Sequence, residues 1–129
     1  ARNHAAFWDG RMLTLTPAYD ICPQGRAGGE ATQAMLIKGE NRMSGLSTCL
    51  AAAEDFLLNE DEAIEIIKGQ ISIIAGEWDA ICEIAGLSPT DKSLFAGRQF
   101  LNPYCVEGLG NDHAELIQHF ERARAHLTD

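Results

Sequence analysis

Two oxygen-bearing side chains near the start of the sequence, Asn3 and Asp20, have the types and spacing that best fit a chemical role. Between them, Asp9-Gly10 separates two apolar-rich runs, residues 4–8 and 11–16, and this dipeptide is typical of the type I′ turn of a β-hairpin. A hairpin runs out and back, so it brings the residues at its two ends together. Amide and carboxylate oxygens suit Mg²⁺, which proteins hold through few groups while water and substrate phosphates complete its shell. The spacing therefore predicts a magnesium site at the open end of the hairpin.

A carboxylate at this place also has a plainer interpretation. Pro17 removes a backbone donor and ends the strand, so Asp20 follows at a turn. An Asp that ends a strand is more often a turn former or a helix cap than a metal ligand. An Asn close to a chain end is usually only solvated. Both interpretations stay open on spacing alone.

The rest of the chain is predicted to be mostly helical. Residues 22–33, CPQGRAGGEATQ, hold three glycines and a proline and are typical of a loop. Residues 35–37 favour neither a strand nor a helical turn, because three residues show no usable periodicity. The expected fold class is mainly α, and the length of 129 residues suggests one domain or a piece of one. Residues 1–24 form the short β-hairpin, 25–43 a loop, and 44–129 a helical bundle.

Capping residues and apolar spacing predict four helices. The first starts near Ser44, and its apolar face comprises Leu46, Cys49, Leu50, Ala53, Phe56 and Leu57. The second begins at the N-cap Asn59, carries acids in its first turn and ends at Gly86. Its apolar stripe is the longest in the chain and comprises Ile64, Ile67, Ile71, Ile74, Trp78, Ile81 and Ala85.

Glycines and caps add detail to this helical part. Gly69 and Gly76 lie inside the second helix, where each costs about 1 kcal/mol relative to Ala, and we interpret them as marks of close helix packing. Ser88, followed by Pro89 and by Asp91 three positions on, predicts a third helix as far as Gln99 or Phe100. The last helix is expected to open at residue 111 or 112, with a mixed face of Ala114, Ile117, Phe120, Arg124 and Leu127.

Composition excludes some functional classes. The formal net charge of −9 makes the chain a poor binder of nucleic acid by itself. No apolar run is long enough for a transmembrane helix. The four cysteines, Cys22, Cys49, Cys82 and Cys105, form no CxxC pair, which argues against a zinc knuckle. Cys49 and Cys82 are interpreted as buried free thiols, and this favours a reducing cytoplasm over a disulfide framework.

Residues 1–24, ARNHAAFWDGRMLTLTPAYDICPQ, resemble the HipA-type serine/threonine kinases, the toxin half of bacterial toxin–antitoxin pairs. In that family a catalytic loop ending in Asn is followed by a hairpin and an L-x-P-x-Y-D motif. The segment GGEATQAMLI is similar to the one that follows in some members, and the resemblance extends to about residue 107. Tyr19 and Ile21, which flank Asp20, depart from the pattern of most kinases, which have Phe after the Asp.

The resemblance implies a specific function. Asn3 and Asp20 would be the Mg²⁺ ligands of an ATP site in the C-terminal lobe of a kinase that phosphorylates Ser or Thr of a protein substrate. Its partner would be an antitoxin of the HipB type, and its location the cytoplasm. The catalytic Asp and the ATP-binding lobe are expected upstream of Ala1, where the abrupt start suggests a cut, processed or truncated chain. This chain alone is therefore expected to be inactive, and apolar surface exposed by loss of that lobe favours self-association.

Other side chains are weaker candidates. His4 is expected on a hairpin face rather than as a base, and Arg26 and Lys38 as solvated loop charges rather than phosphate contacts. The last helix carries three histidines at spacings that do not match a zinc pair: His113, His119 and His126. A second functional hypothesis is a helical interaction module, in which the helices from Ser44 onward bind an antitoxin or a second protomer.

Overall fold

The computed structural model of the protein describes residues 3–21 and 31–128. Over this part the chain is mainly helical, with 56% of residues in four α-helices and short 3-10 turns, and it has one short two-stranded antiparallel sheet at the N-terminus. The predicted mainly-α class with an N-terminal hairpin is confirmed. Part of the predicted loop, including Cys22, Arg26 and Gly28-Gly29, lies outside the described residues.

The hairpin consists of β1 (Ala6–Trp8) and β2 (Leu13–Leu15), which pair Trp8 with Leu13. The predicted two-residue type I′ turn is wrong, because four residues, 9–12, connect the strands. The Asp9 carboxylate accepts hydrogen bonds from the backbone N–H groups of Met12 (2.7 Å) and Arg11 (2.8 Å). These bonds hold the pKa of Asp9 below its usual range. The side chain of Asp9 thus closes the loop, and a wider turn replaces the tight one.

The segment from Ala31 to Ser44 is irregular. The sequence does not decide between a strand and a helical turn for residues 35–37, and in the structure these residues form neither. Isolated bridges join Thr32 to Met43 and Lys38 to Asn41. The Tyr104 hydroxyl donates to the carbonyl of Ala31 at 3.1 Å, which ties this segment to the helical part.

The first helix, α1 (Leu46–Ala52), tightens into a 3-10 turn over Ala53–Phe56. The predicted apolar face is wrong at its end, since Phe56 and Leu57 are 72% and 94% exposed. The tighter turn rotates Phe56 outward, and Leu57 has a left-handed backbone (φ 60°) that ends the helix. Cys49 is exposed, contrary to expectation, whereas Cys82 is buried as predicted; both are free thiols.

The long helix α2 (Glu60–Ile84) begins as predicted at Asn59, which forms a capping box with Glu62. Its buried face is formed by Ala63, Ile67, Ile71, Trp78 and Cys82. The predicted stripe is wrong at its C-terminal end, where Ile81 and Ala85 are exposed. Cys82, one residue further on, is buried, and Ile81 lies about 100° from it around the helix.

The two glycines inside α2 do not mark close packing within the chain. A Cβ added to Gly69 or Gly76 would meet no atom of another residue within 4 Å. The prediction of tight internal packing is therefore wrong, and both positions face open space.

Replacing Gly76 by Ala should consequently stabilise the free chain by up to about 1 kcal/mol, since Ala favours the helix and nothing obstructs its methyl group. Urea denaturation followed by circular dichroism measures the change. Gly86→Ala is the matched control, because Gly86 also has open space but a φ of +65°. This variant should instead lose about 1–2 kcal/mol. Destabilisation by Gly76→Ala would show that the glycine face is packed after all.

The remaining helices close the core. Helix α3 (Pro89–Phe95) starts with the predicted Ser88–Asp91 capping box. It ends earlier than predicted, because Gly97 adopts a left-handed backbone (φ 67°) and the chain turns back. A 3-10 turn over Asn111–His113, at the predicted start, leads into α4 (Ala114–Thr128).

The core lies where α4 packs on α2. Phe120 and Leu116 of α4 are fully buried there, in one cluster with Ile67 and Ile71. The sequence predicted Ile117 on the apolar face of α4. Leu116 is buried there instead, and Ile117 is only partly buried. Every residue of this cluster, including those partly buried at its rim, belongs to residues 46–127. In the described part of the chain, no helix has the length and apolar character needed to cross a membrane.

Candidate metal site at the open end of the hairpin

Asn3 and Asp20 meet although 17 positions separate them in the sequence. The Asn3 side-chain Nδ2 donates a hydrogen bond to Asp20 Oδ2 at 2.7 Å. A backbone bond from Thr16 N–H to the Ala5 carbonyl, at 3.0 Å, extends the strand pairing toward this end. The expected juxtaposition of the amide and the carboxylate is therefore present.

The backbone at both residues is unusual. Asn3 has a φ of 61° and Asp20 a φ of 57°, so both adopt the left-handed conformation. Asn and Asp tolerate this conformation better than other residues with side chains, because their short polar groups bond locally. The same conformation occurs away from the site, at Leu57 and Leu101, so it is typical of turns and not specific to a site. Asn3 and Asp20 thus both adopt the left-handed conformation in the arrangement in which their side chains form a hydrogen bond.

A cleft of about 370 Å³ lies beside this pair. Asn3 and Asp20 are polar groups at its wall, while Leu15, Tyr19 and Met35 supply apolar surface. A volume near 300–1,000 Å³ with few polar groups among apolar ones is typical of a small-molecule site. Because Met35 lines the cleft, the irregular segment 31–44 contributes to the same site.

The donor set fits a weakly held hard cation. Both Asn3 and Asp20 are exposed. Within residues 3–21 and 31–128 there is no cluster of three or more His, Cys, Asp or Glu that could hold a metal ion. Two oxygen-bearing side chains are too few for a structural zinc or calcium site, but they suit Mg²⁺ when water and phosphate oxygens complete the octahedron. An amide that donates through its nitrogen can turn its oxygen toward a cation, since the two ends differ only by rotation.

Sequence reasoning missed the apolar wall of the cleft. His4 also lines the cleft, and the signal for this in the sequence was its position next to Asn3. Nothing in the sequence connected Met35 to Asp20, because a loop of unknown course lies between them. Lys38 is not a free phosphate contact: its ammonium pairs with Glu54 at 2.7 Å and Asp55 at 2.9 Å.

The other candidates have structural roles or none at this site. His113 Nε2 lies 3.0 Å from Glu60 Oε1, and His119 Nε2 lies 3.0 Å from the Ser72 hydroxyl. The acidic run at 59–62 is the N-terminus of α2, as predicted. Trp78 belongs to the core, where its ring packs 5.3 Å from that of Phe100, whereas Trp8 is 62% exposed on the hairpin.

Neither a protein-family model, nor a curated protein, nor a solved structure matches this chain. The assignment of the site therefore depends on its geometry and on the quoted motif. That geometry comprises the Asn3–Asp20 contact, the two left-handed residues and the adjoining cleft.

Proposed function

We propose that this chain is the C-terminal part of a HipA-like serine/threonine kinase, the toxin component of a toxin–antitoxin system. In this proposal Asn3 and Asp20 hold Mg²⁺ against the phosphates of ATP. The observation that carries it is the 2.7 Å hydrogen bond between the two side chains, which places the amide and the carboxylate of the motif side by side at the open end of the hairpin.

Each residue has a distinct role in the proposed chemistry. Asp20 provides the negative charge that retains the cation, and Asn3 provides a neutral amide oxygen once its amide has turned over from the hydrogen bond to Asp20. When bound, Mg²⁺ supplies charge neutralisation at the phosphates during phosphoryl transfer. The catalytic Asp that positions the substrate hydroxyl, and the lobe that grips ATP, belong in this proposal to the segment preceding Ala1.

Exposure of the hairpin supports the presence of a covering lobe. Phe7, Leu13 and Leu15 are 65%, 67% and 75% exposed. A two-stranded hairpin is marginal in water unless another surface packs on it. The ATP-binding lobe is the proposed cover, and self-association through the same apolar surface is expected when that lobe is missing.

The proposed partners follow from the same family. They are an antitoxin of the HipB type and a protein substrate, in the cytoplasm. With a net charge of −9, this chain is expected to make no direct contact with nucleic acid.

A helical interaction module is the second candidate function. The observation that favours it is a row of isoleucines on the outer side of α2, of which Ile73 and Ile84 are 65% and 82% exposed. The two functions are compatible, because the hairpin and this helix face use different residues.

Binding of Mn²⁺, a paramagnetic substitute for Mg²⁺, tests the metal site in this chain. Titration of ¹⁵N-labelled protein should selectively broaden the amide signals of Asn3, Tyr19 and Asp20 at millimolar or lower Mn²⁺. Asp20→Asn should remove this broadening, because the amide carries no charge to retain the cation.

Asp9→Asn is the matched control, since Asp9 lies at the far end of the same hairpin with its carboxylate on backbone N–H groups. That variant should leave the broadening of residues 3, 19 and 20 unchanged. Broadening that is absent from these residues, or that survives Asp20→Asn, would contradict the metal site.

A further inference from the structure

The outer face of α2 exposes a row of large apolar side chains. Ile66, Ile73 and Ile84 are 48%, 65% and 82% exposed, and Ile81 beside them is 56% exposed. Spacings of 7 and 11 residues place Ile66, Ile73 and Ile84 on one side of an α-helix. The buried face of α2, with Ile67 and Ile71, packs in the core with α4, so this row lies outside the core.

A line of small residues runs beside the isoleucines. Gly69, Gly76 and Ala80 occupy neighbouring positions on the helix surface, and a Cβ at either glycine would meet no atom of another residue within 4 Å. Two glycines within a 25-residue helix weaken it without serving any packing inside the described chain. They leave a strip of the helix surface without large side chains, called the groove below, along which another backbone can approach α2 closely.

The charges around this groove have one sign. Helix α2 contains seven acidic residues and one basic residue, Lys68. Lys68 is already paired, at 2.7 Å with Glu115 and at 3.3 Å with Glu65. These carboxylates raise the pKa of Lys68, Glu115 first. Glu62 and Glu77 fall on the isoleucine side of the helix and are exposed.

We propose that this outer face of α2, defined by Ile66, Ile73, Ile84, Gly69 and Gly76, docks an amphipathic helix whose apolar face is flanked by Lys and Arg. The apolar face of the partner covers the isoleucines, its backbone approaches at the glycines, and its cations pair with Glu62 and Glu77. Helix-in-groove recognition of this kind uses apolar anchors at i, i+3, i+4 and i+7.

The acidic charge of this helix face favours a basic helical partner over two other kinds of partner. A second copy of the chain would place the same acidic side chains against each other in a symmetric contact. An anionic lipid surface would be repelled by the glutamates. The inference rests on the second candidate function, the helical interaction module, and not on the kinase function, since none of its residues belongs to the hairpin site.

Fluorescence anisotropy with a labelled 14-residue helical peptide of Leu and Lys tests the docking face. We expect saturable one-to-one binding that weakens as salt increases. Ile73→Glu should weaken binding about tenfold or more, although the added negative charge alone would strengthen it. Gly76→Gln should weaken binding similarly, by filling the groove while keeping helical backbone.

Leu94→Glu is the matched control, because Leu94 is a 48% exposed leucine on α3 that gains the same charge. It should leave the affinity within about twofold, as should Asp20→Asn. No binding, or equal loss from Ile73→Glu and Leu94→Glu, would overturn the proposal. Equal affinity for a Leu/Glu peptide would also overturn it. A dimer in sedimentation that Ile73→Glu converts to monomer would assign the face to a second copy instead.

Discussion

Under the proposed kinase function, Asp20→Asn in a protein that joins this chain to the proposed ATP-binding lobe should abolish phosphoryl transfer without changing the melting temperature. The substitution keeps the size of the side chain and removes the charge that retains Mg²⁺. Metal neutralisation of phosphate charge is worth several kcal/mol in the transition state, and each 1.36 kcal/mol changes the rate tenfold. We therefore expect a loss of about 100-fold or more. Transfer of labelled γ-phosphate from ATP to a protein substrate measures the rate, and a thermal melt measures the fold.

The matched control is Asp9→Asn in the same extended protein. Asp9 is an aspartate of the same hairpin, and Asn can replace it as a hydrogen-bond acceptor in the loop. Its kinase activity should stay within a few-fold of the original protein. If Asp20→Asn melts normally and transfers phosphate at the original rate, Asp20 is a turn former and the kinase proposal loses its main support.

Phe120→Ala should cause the largest loss of stability of any single truncation in the helical part. Phe120 is 0% exposed and contributes to the cluster that joins α4 to α2. Truncating a buried Phe removes its transfer free energy and leaves a cavity, and this costs about 3–5 kcal/mol. Urea denaturation monitored at 222 nm gives the free energy of unfolding. A loss of this size approaches the total stability of many small domains.

Phe56→Ala provides the comparison, because the same truncation is made at a side chain that is 72% exposed. This variant should lose about 0.5 kcal/mol or less. Similar losses for the two variants would show that the 3-10 turn after α1 is packed in solution and that the described core is incomplete.

Local signals in the sequence were sufficient for the starts of the helices. Asn59 and Ser88 each have an acid three residues later, and both form the capping boxes that this spacing predicts. A cap depends on hydrogen bonds between residues three positions apart, so tertiary structure is not needed to foresee it. The left-handed Gly86 that follows α2 was predictable for the same reason.

Tertiary packing determined the features that periodicity could not predict. Phe56 and Ile81 fit the apolar spacing of their helices, yet both are exposed. For Ile81 the buried part of the stripe depends on where α4 crosses α2, and for Phe56 it depends on the change to a 3-10 turn. Spacing along one helix contains neither piece of information. The wider hairpin loop has a local origin instead: the Asp9 carboxylate accepts from the N–H groups of Arg11 and Met12, beside a long backbone bond from Asp9 N–H to the Met12 carbonyl at 3.4 Å.

The sequence predicted that Asn3 and Asp20 lie together, but it did not predict the residues that line the cleft beside them. Antiparallel geometry alone implies that Asn3 and Asp20 approach each other, and they form a hydrogen bond. The contribution of Met35 to the cleft depends on the course of the chain after the hairpin. The left-handed backbone at both site residues was not foreseen either, although Asn and Asp are the residues that adopt it most readily.

The location of the core within residues 46–127 has a consequence for how this protein can change over time. Folding free energy is stored in the helices, whereas the candidate chemistry is carried by residues 3–21. Amide hydrogens of the hairpin should therefore exchange through local opening, while those of α2 and α4 exchange only with global unfolding. Substitutions in the hairpin should therefore change the free energy of unfolding of the helical core very little. Selection on hairpin residues then acts mainly through activity. A lineage could acquire, retune or lose the chemistry of the hairpin while inheriting the helical part unchanged.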